Sequence, residues 1–249
     1  MSSKKPVIAF CGMTHLGISS AIGSISKNFE TICFDQNINL INKLKNNDLH
    51  INEPYLKEAL QKKRELITFT HDFSILKKCD LIYISQDIET DSLGNSNLSE
   101  INQIINKCIH ILFKNQVLVI LSQVPPGFSR KYLKKFKNIF YQVETLIFGQ
   151  AFERTMHPER YIIGCENPQK PLPENFNIFL KSANCPILQM KYESAELTKI
   201  SINMHLISSI SITNKMSEIC ENIDANWNEI IPALRLDKRI GKYAYIKAQ

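Results

Sequence analysis

The sequence predicts an α/β fold: a doubly wound, mostly parallel sheet followed by a long central helix and a small helical region. Three observations predict it. Eight short apolar runs alternate with segments of helical period, the pattern of strands joined by crossover helices. The first run, Pro6 to Phe10, enters the turn Gly12-Met13-Thr14-His15-Leu16-Gly17, and the second run closes on Asp35, eighteen residues after Gly17. From Tyr192 the alternation gives way to one helical pattern that reaches Asn222.

Taken in order, Val7 to Cys11 is the first strand and Leu16 to Asn28 the first helix. Between them the first glycine allows a tight turn, the last lets helix pack on strand, and the helix N-terminus faces a pyrophosphate. Thr31 to Phe34 is the second strand, and the acid at its end, Asp35, is placed to bind a ribose hydroxyl. This is the layout of a Rossmann-type unit, with Gly12, Thr14, His15, Leu16, Gly17 and Asp35 as cofactor-binding candidates. Thr14 replaces the middle glycine and sets a β-branched side chain where a phosphate oxygen approaches. Asp35 repels a 2′-phosphate, so NAD is expected rather than NADP.

Further strands are expected at Leu66 to Phe69, Leu81 to Ser85, Val117 to Ser122, Ile139 to Gln142, Tyr161 to Gly164 and Pro186 to Gln189. Helical periods fall at Asn37 to Lys45, Pro54 to Lys63, Leu98 to Phe113 and Arg130 to Phe136. Glu166 to Asn175 is Pro-rich and polar and reads as a surface loop. The last pattern, Glu193 to Asn222, carries Leu197, Ile200, Met204, Ile207, Ile210, Met216 and Ile219. One helix of that length, about 45 Å, outruns a single domain face and would bridge domains or pair with its twin in a dimer. The alternative is two shorter helices broken near Ser208 to Ser211. The expected domains are residues 1–190, dinucleotide-binding, and 191–249, helical and dimerising.

Composition narrows the partners. The chain has 249 residues, 44% hydrophobic content and a formal charge of +6, enough for one large core or a domain with a smaller helical appendage. The basic clusters Lys57 to Arg64 and Arg130 to Lys137 read as solvated helix faces, and no arginine-rich tract or aromatic RNA motif points to nucleic acid. Seven cysteines form no Cys-x-x-Cys pair and read as reduced, buried hydrophobes. The six histidines lack metal-ligand spacing, so no metal is expected. With no signal peptide and no bilayer-length apolar stretch, a soluble cytoplasmic protein without a membrane partner is the expectation.

A set of ordered motifs adds to this reading. Beyond the glycine loop and Asp35 come Asn52-Glu53-Pro54-Tyr55-Leu56, Thr90-Asp91 through Gly94 to Leu98-Ser99, and Ser122-Gln123-Val124-Pro125-Pro126-Gly127. They continue with His157-Pro158-Glu159-Arg160, Ile162-Ile163-Gly164, Ser194-Ala195-Glu196-Leu197-Thr198-Lys199 and Leu236-Asp237-Lys238-Arg239-Ile240-Gly241. In that order they resemble the N-terminal and central parts of the UDP-glucose/GDP-mannose (nucleotide-sugar) dehydrogenases, over nearly the whole chain. The resemblance implies an NAD-dependent oxidoreductase that oxidises a sugar C6 alcohol in two steps to the uronic acid, with a place in polysaccharide biosynthesis. It implies a UDP-glucose-like nucleotide sugar as substrate and a homodimer through the long helix. The stretch from Ser122 to Gly127 would lie beside the nicotinamide, with Ser122 among the cofactor-binding residues. Lys199 and Asn203, four apart and on one helix face, would contact the reacting sugar and stabilise charge on its oxygen. Glu144 aligns with the first acid of the family's Pro-Glu-Phe-Leu motif, which takes part in acid/base chemistry or holds a water. Read from the residues alone, Lys199 is a solvated helix lysine and Glu144 a strand-end carboxylate.

The departures are specific. The second acid of that motif falls on Phe148, the threonine before Val-Pro-Pro on Gln123, and the Val-x-Thr-Pro loop on Gln86-Asp87-Ile88-Glu89. The family's nucleophilic cysteine, needed for a thioester in the second oxidation, lies beyond the segment Leu236 to Gly241, and none of the seven cysteines matches it. The complete four-electron reaction is therefore not expected of these 249 residues. The ending Tyr243 to Gln249 reads as an interrupted domain, which leaves a truncation or a short, diverged relative as alternatives. A catalytically silent binding or oligomerising protein of the same fold is the alternative function.

Overall fold

The computed structural model describes residues 4–144, 146–241 and 243–245, so the ending at 246–249 lies outside the described residues. Eight strands form one sheet: β1 (Ile8–Cys11), β2 (Thr31–Phe34), β3 (Ile67–Thr70), β4 (Leu81–Ile84), β5 (Val117–Ile120), β6 (Ile139–Gln142), β7 (Tyr161–Cys165) and β8 (Ile187–Lys191). Their order is β3-β2-β1-β4-β5-β6-β7-β8. Every pairing is parallel except β6 with β7. The sheet is thus doubly wound and mostly parallel, as the alternation predicts.

The central strands are apolar throughout because both faces are covered. Ile8 and Phe10 of β1 pack on one side with Ile18 and Ile22 of α1 (His15–Ser26) and with Phe176 and Leu180 of a later helix. Ala9 and Cys11 face the other side, where Ile82, Ile84, Leu118 and Ile120 meet Ile101 and Ile105. Period-two alternation within one apolar strand therefore feeds two separate cores.

The remaining helices are α2 (Ile38–Lys45), α3 (Leu56–Lys62), α4 (Ser99–Ile111), α5 (Ala151–Met156), α6 (Glu174–Lys181), α7 (Tyr192–Asn222) and α8 (Trp227–Leu236). Several boundaries differ from the sequence expectation for local reasons. α1 stops before Asn28 and α3 starts after Tyr55, because these residues take left-handed backbone with φ of 62° and 63°. Arg130 to Phe136 is not an α-helix. A 3₁₀ turn at Ser129–Tyr132 stands there, because the N–H groups of Gly127 and Ser129 are held at 2.5 and 2.8 Å by the buried carboxylate of Glu196. α6 occupies the end of the stretch read as a loop, α8 stands in the small helical region expected after the long helix, and α5 was not expected.

α7 runs unbroken through Ser208 to Ser211. The chain divides into two compact units, Met1–Leu197 and Thr198–Gln249. In the second, Cys220, Trp227 and Ile231 form a small core with Ile230, Leu234 and Ala244 against it. Thr213 Oγ1 donates to the Tyr245 carbonyl at 2.7 Å. Among the described residues no helix is long and apolar enough to cross a membrane.

In the first unit the start of α7 is anchored by Tyr192, which is 1% exposed and donates its hydroxyl to the Ile139 carbonyl at 2.7 Å. Burial pushes its phenol upward, so the hydroxyl stays a donor. Removing it in Tyr192→Phe leaves a buried carbonyl short of a partner and should cost about 1–2 kcal/mol, measurable as a lower urea midpoint with an unchanged slope.

Candidate functional site

β1 lies between β2 and β4, so the crossovers leave it in opposite directions and a crevice opens at the C-terminal strand ends. Gly12 sits at its base with φ +101°, and its N–H donates to the Phe34 carbonyl at 2.9 Å. A Cβ at Gly12 would stand 2.9 Å from the Gln86 nitrogen, so only glycine lets the ends of β1 and β4 come this close. Gly17 is tighter still: a Cβ there would stand 1.9 Å from the Gly12 carbonyl oxygen and 2.8 Å from Ser85 Oγ. The first and last glycines of the loop serve packing and turn geometry, as their spacing predicts.

Thr14 has ordinary extended backbone, φ −76°, and caps α1. Its Oγ1 accepts from the Gly17 N–H at 3.2 Å and donates to the Ser85 carbonyl at 2.8 Å. The hydroxyl that replaces the middle glycine is therefore spent inside the protein as an N-cap. The N–H groups of His15 and Leu16 lie in the first turn, where an α-helix offers no internal acceptor.

Asp35 is bound to the same loop. Its Oδ2 accepts from the Met13 N–H at 2.8 Å and its Oδ1 from the Asn37 N–H at 2.9 Å. Each oxygen keeps a second lone pair for a ligand hydroxyl. Asp35 lines a cleft of about 420 Å³ with Gly12, Gln36, Asn37, Gln86 and Glu100. Gln86 donates from Nε2 to Glu100 at 2.6 Å, while its buried Oε1 has no hydrogen-bond partner among the described residues. Ser122, 1% exposed, donates to the Gln86 carbonyl at 2.5 Å, so its hydroxyl holds the ends of β4 and β5 together.

Two residues to which the sequence reading gave no role hold this end of the sheet. Ser85 donates to the Gly12 carbonyl at 2.9 Å and, through its own carbonyl, accepts from Thr14. Glu53, with a side chain 1% exposed, meets His15 Nε2 at 2.8 Å and accepts from the N–H groups of Gly149 and Ala151 at 2.8 and 2.9 Å. Burial pushes its carboxyl up, but the two N–H groups and His15 outweigh that and hold it below the ordinary range. The Phe148 ring packs on His15 with centroids 4.8 Å apart. A Glu before a proline was the signal available in the sequence; its burial and its partners, 96 and 98 residues away, were not.

The three expected catalytic residues fall in different units. Glu144 is half-buried in the first, two residues beyond β6, and lines a small cavity of about 50 Å³ with Gln142, Arg154, Arg160 and Tyr161. Lys199 and Asn203 are half-buried one turn apart on α7 in the second.

Comparison with known proteins fits this geometry. Residues 6–179 match the sequence model of the UDP-glucose/GDP-mannose dehydrogenase family NAD binding domain, and residues 193–249 that of its central domain. A putative UDP-glucose 6-dehydrogenase of Bacillus subtilis is 27% identical over 248 residues, covering 96% of this chain and 58% of that protein. The UDP-glucose 6-dehydrogenase of Rickettsia typhi is 27% identical, covering 94% of this chain and 56% of that protein. The chain thus spans little more than half the length of these curated relatives. In fold it is similar to a UDP-glucose dehydrogenase structure from Pyrobaculum islandicum, with a TM-score of 0.85 at 22% identity over 97% of this chain and 59% of that one. It is similar also to GDP-mannose dehydrogenase from Pseudomonas aeruginosa, with a TM-score of 0.81 at 18% identity over 96% and 59%.

The Glu53 clamp has a pH signature. A carboxyl held below its ordinary value of 4.5 contributes stability that is present above that value and lost as the pH falls through its folded-state value. Between neutral pH and about pH 3 the native chain should therefore lose more stability than Glu53→Gln, whose amide does not titrate. Parallel losses in urea melts across that range would remove the ionised clamp.

Proposed function

The chain belongs to the UDP-glucose/GDP-mannose dehydrogenase family, and from that premise we propose that it binds NAD at the glycine loop and a UDP-glucose-like nucleotide sugar, acting in oxidation of the sugar C6 alcohol. The observation that carries the reading is the cleft at the switch point. Asp35 offers free carboxylate lone pairs, a fit for ribose hydroxyls. Among the described residues lining the cleft none is Lys or Arg, while Asp35 and Glu100 are acids. That charge favours a bare ribose over a 2′-phosphate, hence NAD over NADP.

Gly12, Thr14, His15, Leu16 and Gly17 would hold the diphosphate at the N-terminus of α1, and Ser122 would support the nicotinamide end by fixing the strands beneath it. NAD supplies the hydride acceptor. Oxidation of the alcohol also releases a proton, and Glu144, or a water it holds, is the group that accepts it. Lys199 and Asn203 supply an ammonium and an amide donor for charge on the reacting oxygen. Burial pushes the thiols of Cys33, Cys165 and Cys185 upward and that of Cys79 up to about 12; contact with Cys108, then burial, does so for Cys11. Such thiols are poor nucleophiles, and the proposal covers alcohol oxidation alone.

A second reading, a binding protein that has given up the chemistry, is favoured by Phe148. It stands where the family carries its second acid and is 84% exposed. NADH formation from NAD and UDP-glucose separates the two readings. The partner in either case is a second copy of the chain, because α7 exposes Leu197, Met204, Leu206, Ile207, Ile212, Met216 and Ile219, a run of exposed apolar side chains of the kind that marks an interaction surface. Seven unpaired cysteines support a reducing, cytoplasmic setting.

Calorimetric titration of NADH into the 249-residue chain, with and without UDP-glucose, should give saturable binding, and Asp35→Ala should weaken it about tenfold through loss of a charged hydrogen-bonding group. Absence of binding in both conditions overturns the cofactor assignment. Replacing Met204 and Ile207, both 58% exposed, with lysine should turn a dimer into a monomer in sedimentation velocity; a native chain that already sediments as a monomer overturns the dimer.

A further inference from the structure

We propose that Glu53 is a positioning residue that couples the glycine loop to the loop carrying Glu144, so that occupancy of the dinucleotide site is felt at Gly149 and Ala151. The proposal rests on the reading that NAD binds at the N-terminus of α1.

One carboxylate with a side chain 1% exposed receives three groups from two distant parts of the chain. Oε1 meets His15 Nε2 at 2.8 Å and the Gly149 N–H at 2.8 Å, and Oε2 takes the Ala151 N–H at 2.9 Å. His15 is the first residue of α1 and Ala151 the first of α5, so both helices start from the same buried charge. A buried carboxylate that loses one partner keeps the full penalty of its burial, so the three contacts stand or fall together.

The two helices are also locked along their length. A Cβ at Gly23 of α1 would stand 2.1 Å from Thr155 Cγ2 of α5, and Lys27 Nζ donates to the Thr155 carbonyl at 2.7 Å. A shift of His15 toward a ligand on α1 cannot be absorbed by sliding one helix past the other. It must be taken up at the carboxylate and the loop behind it. That loop joins Glu144 to Gly149, and its Phe148 ring already lies on the His15 ring. The result is a set of packed and hydrogen-bonded groups that runs from the dinucleotide loop through Glu53 to Phe148, Gly149 and Ala151.

Hydrogen exchange at the Gly149 and Ala151 amides, read by NMR on the full chain, tests this. Without ligand, His15→Ala should speed exchange of both amides about tenfold, and His15→Gln, whose amide still donates to Glu53, should restore the native rate. That rescue separates coupling through the hydrogen bond from general loosening of the fold. NADH should slow exchange of the two amides in the native chain and in His15→Gln but not in His15→Ala. Native rates in unliganded His15→Ala, or NADH bound to the native chain with unchanged exchange, would overturn the proposal. If NADH does not bind, the cofactor reading falls and the ligand-sensing half of the proposal with it; the clamp itself is decided by the unliganded variants.

Discussion

The contact on which the ligand end of this sheet depends is the approach of Gly17 to the Gly12 carbonyl. A single added carbon at Gly17 would sit 1.9 Å from that oxygen. Closeness of this order sets α1 directly over the end of β1, and Ser85 from β4 closes the gap by donating to the same carbonyl. Thr14 then spans the junction, capping α1 with one lone pair and donating to Ser85 with its proton. Two segments more than 70 residues apart thus meet in one small knot of backbone. The position of Asp35 follows from it, because the Met13 N–H that holds the carboxylate belongs to the same turn.

Away from this knot the fold relies on buried carboxylates to fix loops at the strand ends. Glu53 gathers Gly149 and Ala151, and Glu196 gathers Gly127 and Ser129. The two are built alike and end up differently. Glu196 is fully buried and meets neutral donors, with the charge of Glu193 nearby, so burial pushes its carboxyl up. Glu53 has His15 as a third partner and is held down. Burial outweighs the donors at Glu196, where the Glu193 charge adds to it, whereas at Glu53 the two N–H groups, with His15 added, outweigh burial.

β1, β2, β4, β5, β6 and β7 were legible because strands covered on both faces are short, largely apolar runs, while the partly exposed β3 and β8 were read from their short apolar segments between turns. The longer helices were legible from the spacing of their apolar residues. α5 was not: it has six residues and buries only Ala151 fully, too few for a helical period to register. The turn at Ser129 was misread because its residues suit a helix, while the backbone donors that would start one are taken by Glu196, 67 residues away. The site divides along the same line. Gly12, Gly17 and Asp35 owe their places to local spacing and could be read directly. Ser85 and Glu53 owe theirs to contacts across more than 70 and more than 90 residues, and no local pattern announces such contacts.

Thr14 shows why a departure from a motif needs the fold before its meaning is clear. As a sequence change it puts a branched side chain at the position reserved for close ligand approach. In the fold its backbone is one any residue adopts, and its hydroxyl is turned toward Ser85 and the Gly17 N–H. The cap takes one backbone donor away from a bound anion and in exchange stiffens the turn that presents the next two, at His15 and Leu16. Because His15 is in turn held by Glu53, the donor after the cap belongs to a residue that is already fixed. The substitution therefore spends its hydroxyl inside the protein and leaves the loop's architecture as the two flanking glycines dictate.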